Sequence, residues 1–188
     1  MGIYLYDLGA EHWSGDQEGG WAEVASALNH ELGRRGLPRY EPAPGRGPAF
    51  EEKLSPPMDG FSALCEEHLS PRESYAVGNW TVLVPLSLDT EIVLPIANDM
   101  DDETVIVGAP QILGHMERLA AVMALPPEIP APGATLALTA WRTNGSAEKL
   151  AAARPGPWSK DLDAAFYVAV YRQAARHALS HGCPMTYS

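Results

Sequence analysis

The chain has 188 residues, of which 46% are hydrophobic and 20% are charged, and its formal net charge is −11. This length and composition are typical of one globular domain with its own core, so we expect a single domain over residues 1–188. The excess of acids disfavours binding to nucleic acid and to anionic membranes, because both require clustered Lys and Arg.

The sequence also carries no signal for export or membrane insertion. No apolar run reaches the roughly 18 residues that indicate a spanning helix. Residues 1–7 lack the basic start and long apolar centre of a signal peptide. The two cysteines, Cys65 and Cys183, are typical of free thiols in a reducing compartment. We therefore expect a cytoplasmic protein.

The first third of the chain predicts one strand, two helices and a long loop. Residues 3–8 alternate aromatic and aliphatic side chains, which indicates a strand. Residues 20–35 carry apolar side chains at helical spacing, and Gly36 is suited to ending that helix. Pro and Gly dominate residues 37–58, which we interpret as a surface loop within the domain. A short helix is expected over 59–69.

The middle of the chain predicts a capped helix and a hairpin. Ser70, Pro71 and Glu73 match a capping box with proline at the first helical position. Residues 80–88 and 91–97 are predicted to form a β-hairpin around a two-residue turn. Both strands are apolar on both faces, which favours a sheet that is covered on both sides.

The last part of the chain predicts two strands and two helices. Residues 104–109 indicate a short strand, and Pro110 is expected to open a helix that ends near residue 125. Residues 135–142 predict a fifth strand. A final helix is expected over 160–181, with Ser159 as its N-cap.

The order of these elements is neither strictly alternating nor segregated. It predicts an α+β fold with a mostly antiparallel five-stranded sheet and helices packed on at least one face. The alternative is an α/β three-layer fold built on a doubly wound parallel sheet.

Acidic residues concentrate in one segment. Residues 73–117 contain eight acids and neither Lys nor Arg. Six of these acids lie at the predicted hairpin tip and in the loop that follows: Asp89, Glu91, Asp99, Asp101, Asp102 and Glu103. One interpretation is a docking surface for a basic protein partner, and the other is a set of solvated turns.

Histidine and cysteine concentrate near the end of the chain. His177 and His181 are four residues apart, so a helix places them on one face, and Cys183 follows closely. These are ligand types that zinc prefers, so His177, His181 and Cys183 form a candidate metal site. Cys65 and His68 offer a second Cys/His pair. The glutamate of the metalloprotease motif H-E-x-x-H is absent, because Ala178 stands in its place.

Three functional hypotheses follow. The sequence contains no nucleophile elbow, phosphate-binding loop or dinucleotide-binding glycine motif, so a non-catalytic role is favoured. The leading hypothesis is an immunity- or inhibitor-like domain that binds a basic partner through its acidic surface. The second is a metal-binding protein or enzyme that uses His177, His181 and Cys183. The third is a homodimeric structural protein in which a hairpin edge pairs across a two-fold axis.

Overall fold

The computed structural model describes residues 2–15, 21–44, 49–98, 101–129 and 135–188. In these residues the strands are β1 (Ile3–Asp7), β2 (Glu51–Leu54), β3 (Val82–Val84), β4 (Ile92–Leu94), β5 (Thr104–Gly108) and β6 (Met185–Tyr187). The α-helices are α1 (Ala10–Ser14), α2 (Trp21–Arg34), α3 (Asp59–His68), α4 (Pro71–Asn79), α5 (Ala109–Val122), α6 (Ala137–Thr143), α7 (Ser146–Ala153) and α8 (Leu162–His181), and a 3₁₀ helix spans Pro157–Lys160. None of the described helices is both long and apolar enough to cross a membrane.

The strands form one sheet in the order β2-β1-β6-β3-β5-β4. Four neighbouring pairs are antiparallel, and β3 runs parallel to β5. Helices pack around this sheet, which confirms the predicted α+β class. The predicted number of five strands is wrong, because the described sheet has six. The sheet is also mixed and not purely antiparallel.

The predicted hairpin is wrong, because β3 and β4 do not pair with each other. β5 lies between them, and its Ile106 is in register with both Val82 of β3 and Ile92 of β4. All five residues of β5 are buried, so this apolar strand gains most from an interior position. Pro85 and Pro95 directly follow the last residues of β3 and β4, where the missing N–H stops the ladder.

Apolar side chains cover both faces of the sheet. Leu83 and Val107 belong to the core formed with α3, α5 and α8. Val82 and Ile106 point to the opposite face and belong to the core formed with α2. Successive residues of a strand face opposite sides, so short apolar strands can serve two cores at once. Helices on both faces therefore account for the apolar pattern of β3 and β5.

α8 is buried along most of its length. Thirteen of its twenty residues are buried, and many of these are alanines, which allow neighbouring elements to approach closely. Asp161 is its N-cap, because the side chain accepts a hydrogen bond of 2.8 Å from the Ala164 N–H. The prediction of Ser159 as the cap is wrong: Ser159 lies in the 3₁₀ helix, where its hydroxyl donates to the Gly156 carbonyl.

The predicted fifth strand over 135–142 is wrong, because these residues contribute to helix α6. Glu52 on β2 is only 3% exposed, and its carboxylate faces the first turn of α6. It accepts hydrogen bonds from the Leu138 N–H at 2.9 Å and from the Thr139 N–H at 2.8 Å. A negative charge at the free N–H groups of a helix start favours the helix. The hydrogen bonds that favour a helix over a strand here therefore come from Glu52, which lies 86 residues before Leu138 in the sequence.

Two strands lie where none was predicted. β2 falls within residues 37–58, which were predicted as a loop, and β6 follows the last helix. Three of the four residues of β2 are charged, and β6 is three residues long, so neither shows a strand pattern of its own. Each becomes a strand by pairing with β1, with Tyr4 opposite Lys53 and Tyr6 opposite Thr186.

Replacing Glu52 with Ala is expected to lower the free energy of unfolding by about 2–3 kcal/mol, because one buried and one partly buried N–H group of α6 lose their acceptor. Urea unfolding followed by circular dichroism measures the change. Glu51→Ala, on the neighbouring and more exposed position of β2, is the matched control and is expected to change stability by about 0.5 kcal/mol or less. Equal losses in the two variants would show that the carboxylate does not hold α6.

Candidate metal centre

Three side chains with metal-ligand chemistry converge at the end of β1. They are Asp7, the last residue of β1, His177 near the end of α8, and Cys183 in the turn that leads to β6. β6 pairs with β1 so that Met185 lies opposite Asp7. This register brings the residues just before β6 next to the carboxylate.

Gly182 turns the chain from α8 back to the sheet. Its φ of 62° is in the left-handed region, which ends the helix and favours glycine. The Gly182 carbonyl accepts hydrogen bonds from the Ala43 N–H at 3.0 Å and from the Tyr40 hydroxyl at 3.2 Å. A side chain at this position would also meet the Cβ of Ala43 at 3.0 Å. Hydrogen bonds to the Gly182 carbonyl and the close approach of Ala43 therefore both hold the turn that positions Cys183.

The spacing of the three side chains suits a metal ion. One ligand atom from each of Asp7, His177 and Cys183 lies within 4.8 Å of the other two. Asp7 Oδ2 and His177 Nε2 are 3.8 Å apart. A tetrahedral zinc ion with bonds of about 2.0–2.3 Å separates its ligand atoms by roughly 3.3–3.8 Å. The observed arrangement, with ligand atoms at most 4.8 Å apart, therefore needs an adjustment of about 1.5 Å at most to bind the ion.

His177 presents an unsatisfied nitrogen to this cluster. The residue is 7% exposed, and its Nε2 is buried without a hydrogen-bond partner in the part of the chain that the structure describes. The ring packs against Phe50, with the ring centroids 5.4 Å apart. The Asp7 carboxylate, 3.8 Å away, is within ion-pair range but beyond hydrogen-bond distance, and a buried polar atom that makes no hydrogen bond costs about 1–3 kcal/mol. A metal ion bound at Nε2 would remove that cost.

Asp7 is held as a carboxylate. Its Oδ1 accepts a hydrogen bond of 2.7 Å from the Phe50 N–H. Burial raises the pKa of the Asp7 carboxyl, but the interactions with His177 and with the Phe50 N–H lower it by more, so the net pKa lies below the ordinary 3.8. At neutral pH the group is therefore ionised and ready to bind a cation.

Cys183 has the opposite tendency. Burial, together with the negative charge of Asp7, raises the pKa of its thiol to about 12. The thiol is therefore protonated at neutral pH and is a weak nucleophile. A divalent cation between the three side chains would favour the thiolate, because metal ligands bind in their deprotonated form. In the metal-free protein this environment therefore argues against a nucleophilic role for Cys183.

The structure brings together two of the three metal ligands predicted from sequence. His177 and Cys183 meet, whereas His181 stacks on His177 with ring centroids 4.2 Å apart and an interplanar angle of 30°. Its Nδ1 lies 3.1 Å from the His177 carbonyl and 3.0 Å from the Ser180 hydroxyl. The third member of the cluster is Asp7, which sequence reasoning missed because only the pairing of β1 with β6 reveals it.

The second Cys/His pair lies elsewhere, on α3. Cys65 is 3% exposed and packs into the core beneath α8, and burial raises the pKa of its thiol to about 12. His68 lies 3.7 Å from the Glu67 carboxylate. Among the described residues, no cluster of potential ligands includes either of them.

The acids predicted to bind a partner lie around β4. Asp99 is outside the residues that the structure describes. The exposed members are Asp89, Asp101, Asp102 and Glu103, and Glu91 is half-buried. Arg35, which directly follows α2, donates to the Thr90 and Glu91 carbonyls at 2.9 and 3.2 Å. The structure thus brings a cation from outside residues 73–117 into this region, and the docking surface stays a prediction.

Arginines also reach the two ends of the acidic segment. Arg118 forms two hydrogen bonds of 3.0 Å with the Glu73 carboxylate. Arg172 and Arg176 of α8 lie against the Glu117 carboxylate, at 3.8 and 2.5 Å. Residues 73–117 contain no Lys or Arg, but the fold places arginines from other parts of the chain beside them.

A scan against protein-family models and searches of curated proteins and solved structures found no match to this chain.

Glu73 makes the free energy of unfolding depend on pH in the acidic range. Its carboxylate accepts from the Ser70 N–H at 2.7 Å, and the Ser70 hydroxyl accepts from the Glu73 N–H, which confirms the predicted capping box. Hydrogen bonds from Arg118 and from the Ser70 backbone lower the pKa of Glu73 from 4.5 to about 2. A lowered pKa in the folded state adds stability above pH 4.5 that is lost as the pH falls towards 2.

We expect Glu73→Gln to remove this contribution, at a cost of about 1 kcal/mol at pH 7 because the pair is partly screened by solvent. Its stability deficit against the unmodified protein should shrink as the pH is lowered from 4.5 towards 2. Unfolding by denaturant at pH 7, 4.5 and 3 measures the difference, with the exposed Glu67→Gln as control. A deficit that is the same at every pH would contradict the assignment.

Proposed function

We propose that this chain is a metal-binding protein whose ion is held by Asp7, His177 and Cys183. The observation that carries the proposal is the buried His177 Nε2, which has no hydrogen-bond partner among the described residues and lies 3.8 Å from Asp7. A carboxylate, an imidazole and a thiol lie within 4.8 Å of one another, and all three are donor types that zinc binds.

The ligand set favours zinc. Zinc binds thiolate sulfur, imidazole nitrogen and carboxylate oxygen, whereas calcium and magnesium prefer sites made of oxygen alone. Cobalt(II) and nickel(II) bind the same kinds of donor and serve as probes. Both cysteines of the chain are free thiols, which accords with the cytoplasmic location that we include in this proposal.

The surroundings of the three ligands support the same function. Phe50 contributes both its N–H, which orients the Asp7 carboxylate, and its ring, which packs on His177. Such contacts from residues behind the ligands hold them in position and strengthen metal binding by about 10–100-fold. The folded chain would thus present the site largely preformed.

The purified protein is expected to bind one equivalent of Zn²⁺, and Cys183→Ser, His177→Gln and Asp7→Asn should each weaken binding by about 100-fold or more, which is at least the effect of losing an outer contact. Isothermal titration calorimetry of the metal-free protein measures the affinity. Added Zn²⁺ should also raise the melting temperature, because the ion binds the folded state.

Cys65→Ser is the matched control, since Cys65 is the other buried cysteine and lies in a different part of the core. It should keep the zinc affinity of the unmodified protein even if its stability changes. Circular dichroism checks that each variant is folded before titration. Failure of the unmodified protein to bind zinc, or equal binding by Cys183→Ser, would overturn the proposal.

A further inference from the structure

We infer that the metal ion keeps one coordination position open for a small external ligand with an oxygen or nitrogen donor, which makes the centre reactive and not merely structural. This inference rests on the proposed function, because it concerns the same three ligands. Structural zinc sites are closed by four protein ligands, whereas catalytic sites have three and bind water or substrate in the fourth position. A fourth donor from the described residues would close this position.

His181 is the nearest alternative, and its geometry argues against it. Two histidines that share an ion must direct one nitrogen each towards a common point. Here the rings are stacked, with centroids 4.2 Å apart and planes inclined by 30°. The Nδ1 of His181 is also held against the His177 carbonyl at 3.1 Å. This contact occupies Nδ1, and His181 is not in the group of residues whose ligand atoms lie within 4.8 Å of one another.

The other nearby donors are already used. The Tyr40 hydroxyl donates to the Gly182 carbonyl, so it is committed to the turn beside Cys183. Asp7 has two oxygens, but Oδ1 accepts the hydrogen bond from the Phe50 N–H at 2.7 Å. The carboxylate is therefore set to offer one oxygen to the ion. In the described part of the chain, the group of potential ligands contains three residues.

Differences in exposure indicate the side from which an external ligand arrives. The side chains of Asp7 and His177 are 21% and 6% exposed, and Cys183 as a whole is 8% exposed. His177 and Cys183 are thus buried and Asp7 is the most exposed of the three, so we expect solvent to reach the centre on the Asp7 side. A metal ion bound between them would present its remaining position to that side.

The charge of the centre defines the chemical class of the ligand. A divalent ion with one thiolate, one carboxylate and a neutral imidazole carries no net charge. Such a centre accepts a neutral or singly negative donor, such as water, a carbonyl oxygen, azide or a hydroxamate. A zinc ion with an open position polarises a bound carbonyl group or water molecule and so activates it for reaction.

Cobalt(II) makes the open position visible, because its absorption reports both its sulfur ligand and its coordination number. The cobalt-loaded full chain should show a thiolate-to-cobalt band in the near ultraviolet, and this band should be lost in Cys183→Ser. Addition of azide, or separately of acetohydroxamate, should shift the visible bands until saturation. His181→Ala should keep the cobalt spectrum and the response to both probes.

The outcomes separate the two proposals. Absence of the thiolate-to-cobalt band and of cobalt binding would overturn the proposed function and this inference with it. Cobalt bound through Cys183 but unaffected by either probe would leave the metal site in place and overturn the open position. A visible spectrum that changes in His181→Ala would identify His181 as the fourth ligand and overturn the inference in the same way.

Discussion

The pairing of β6 with β1 is the interaction on which the sheet and the candidate centre both depend. β6 lies between β1 and β3, so it joins the pair β1–β2 to the group β3–β5–β4. The same pairing sets Met185 opposite Asp7 and thereby places Cys183 beside the carboxylate. His177 reaches the cluster because α8 ends directly before this strand. One short strand of three residues thus builds the centre of the sheet and assembles ligands from opposite ends of the sequence.

The sequence predicts those parts of the fold that local patterns determine. The helices with an apolar stripe, the capping box at Ser70 and the first strand all follow from spacing and end signals within each segment. The errors occur where a distant residue decides. Residues 135–142 alternate well enough for a strand, but the carboxylate of Glu52 selects a helix. β5 lies between the two strands of the expected hairpin. An apolar strand is stabilised more by burial inside the sheet than β3 and β4 are by being close in sequence.

The candidate centre shows the same division. The helical spacing of His177 and His181 and the nearby Cys183 are visible in the sequence, but spacing alone does not tell which ring turns towards the thiol. The fold selects His177, whose Nε2 is buried, and leaves His181 stacked behind it. Asp7 stands far from both in sequence and carries no local signal. The acidic segment is a related case, because the arginines that approach it come from the turn after α2, from α5 and from α8.

The central place of β6 has a consequence for how the protein is made. During synthesis the two halves of the sheet can form early, but each keeps an unpaired inner edge until β6 leaves the ribosome. An unpaired edge is a template for strands of other chains. Until β6 pairs with β1, Cys183 is not held beside Asp7, so the three candidate ligands could not bind a metal ion together. In the described residues, both the sheet and the candidate set of ligands therefore become complete only after α8 has been translated.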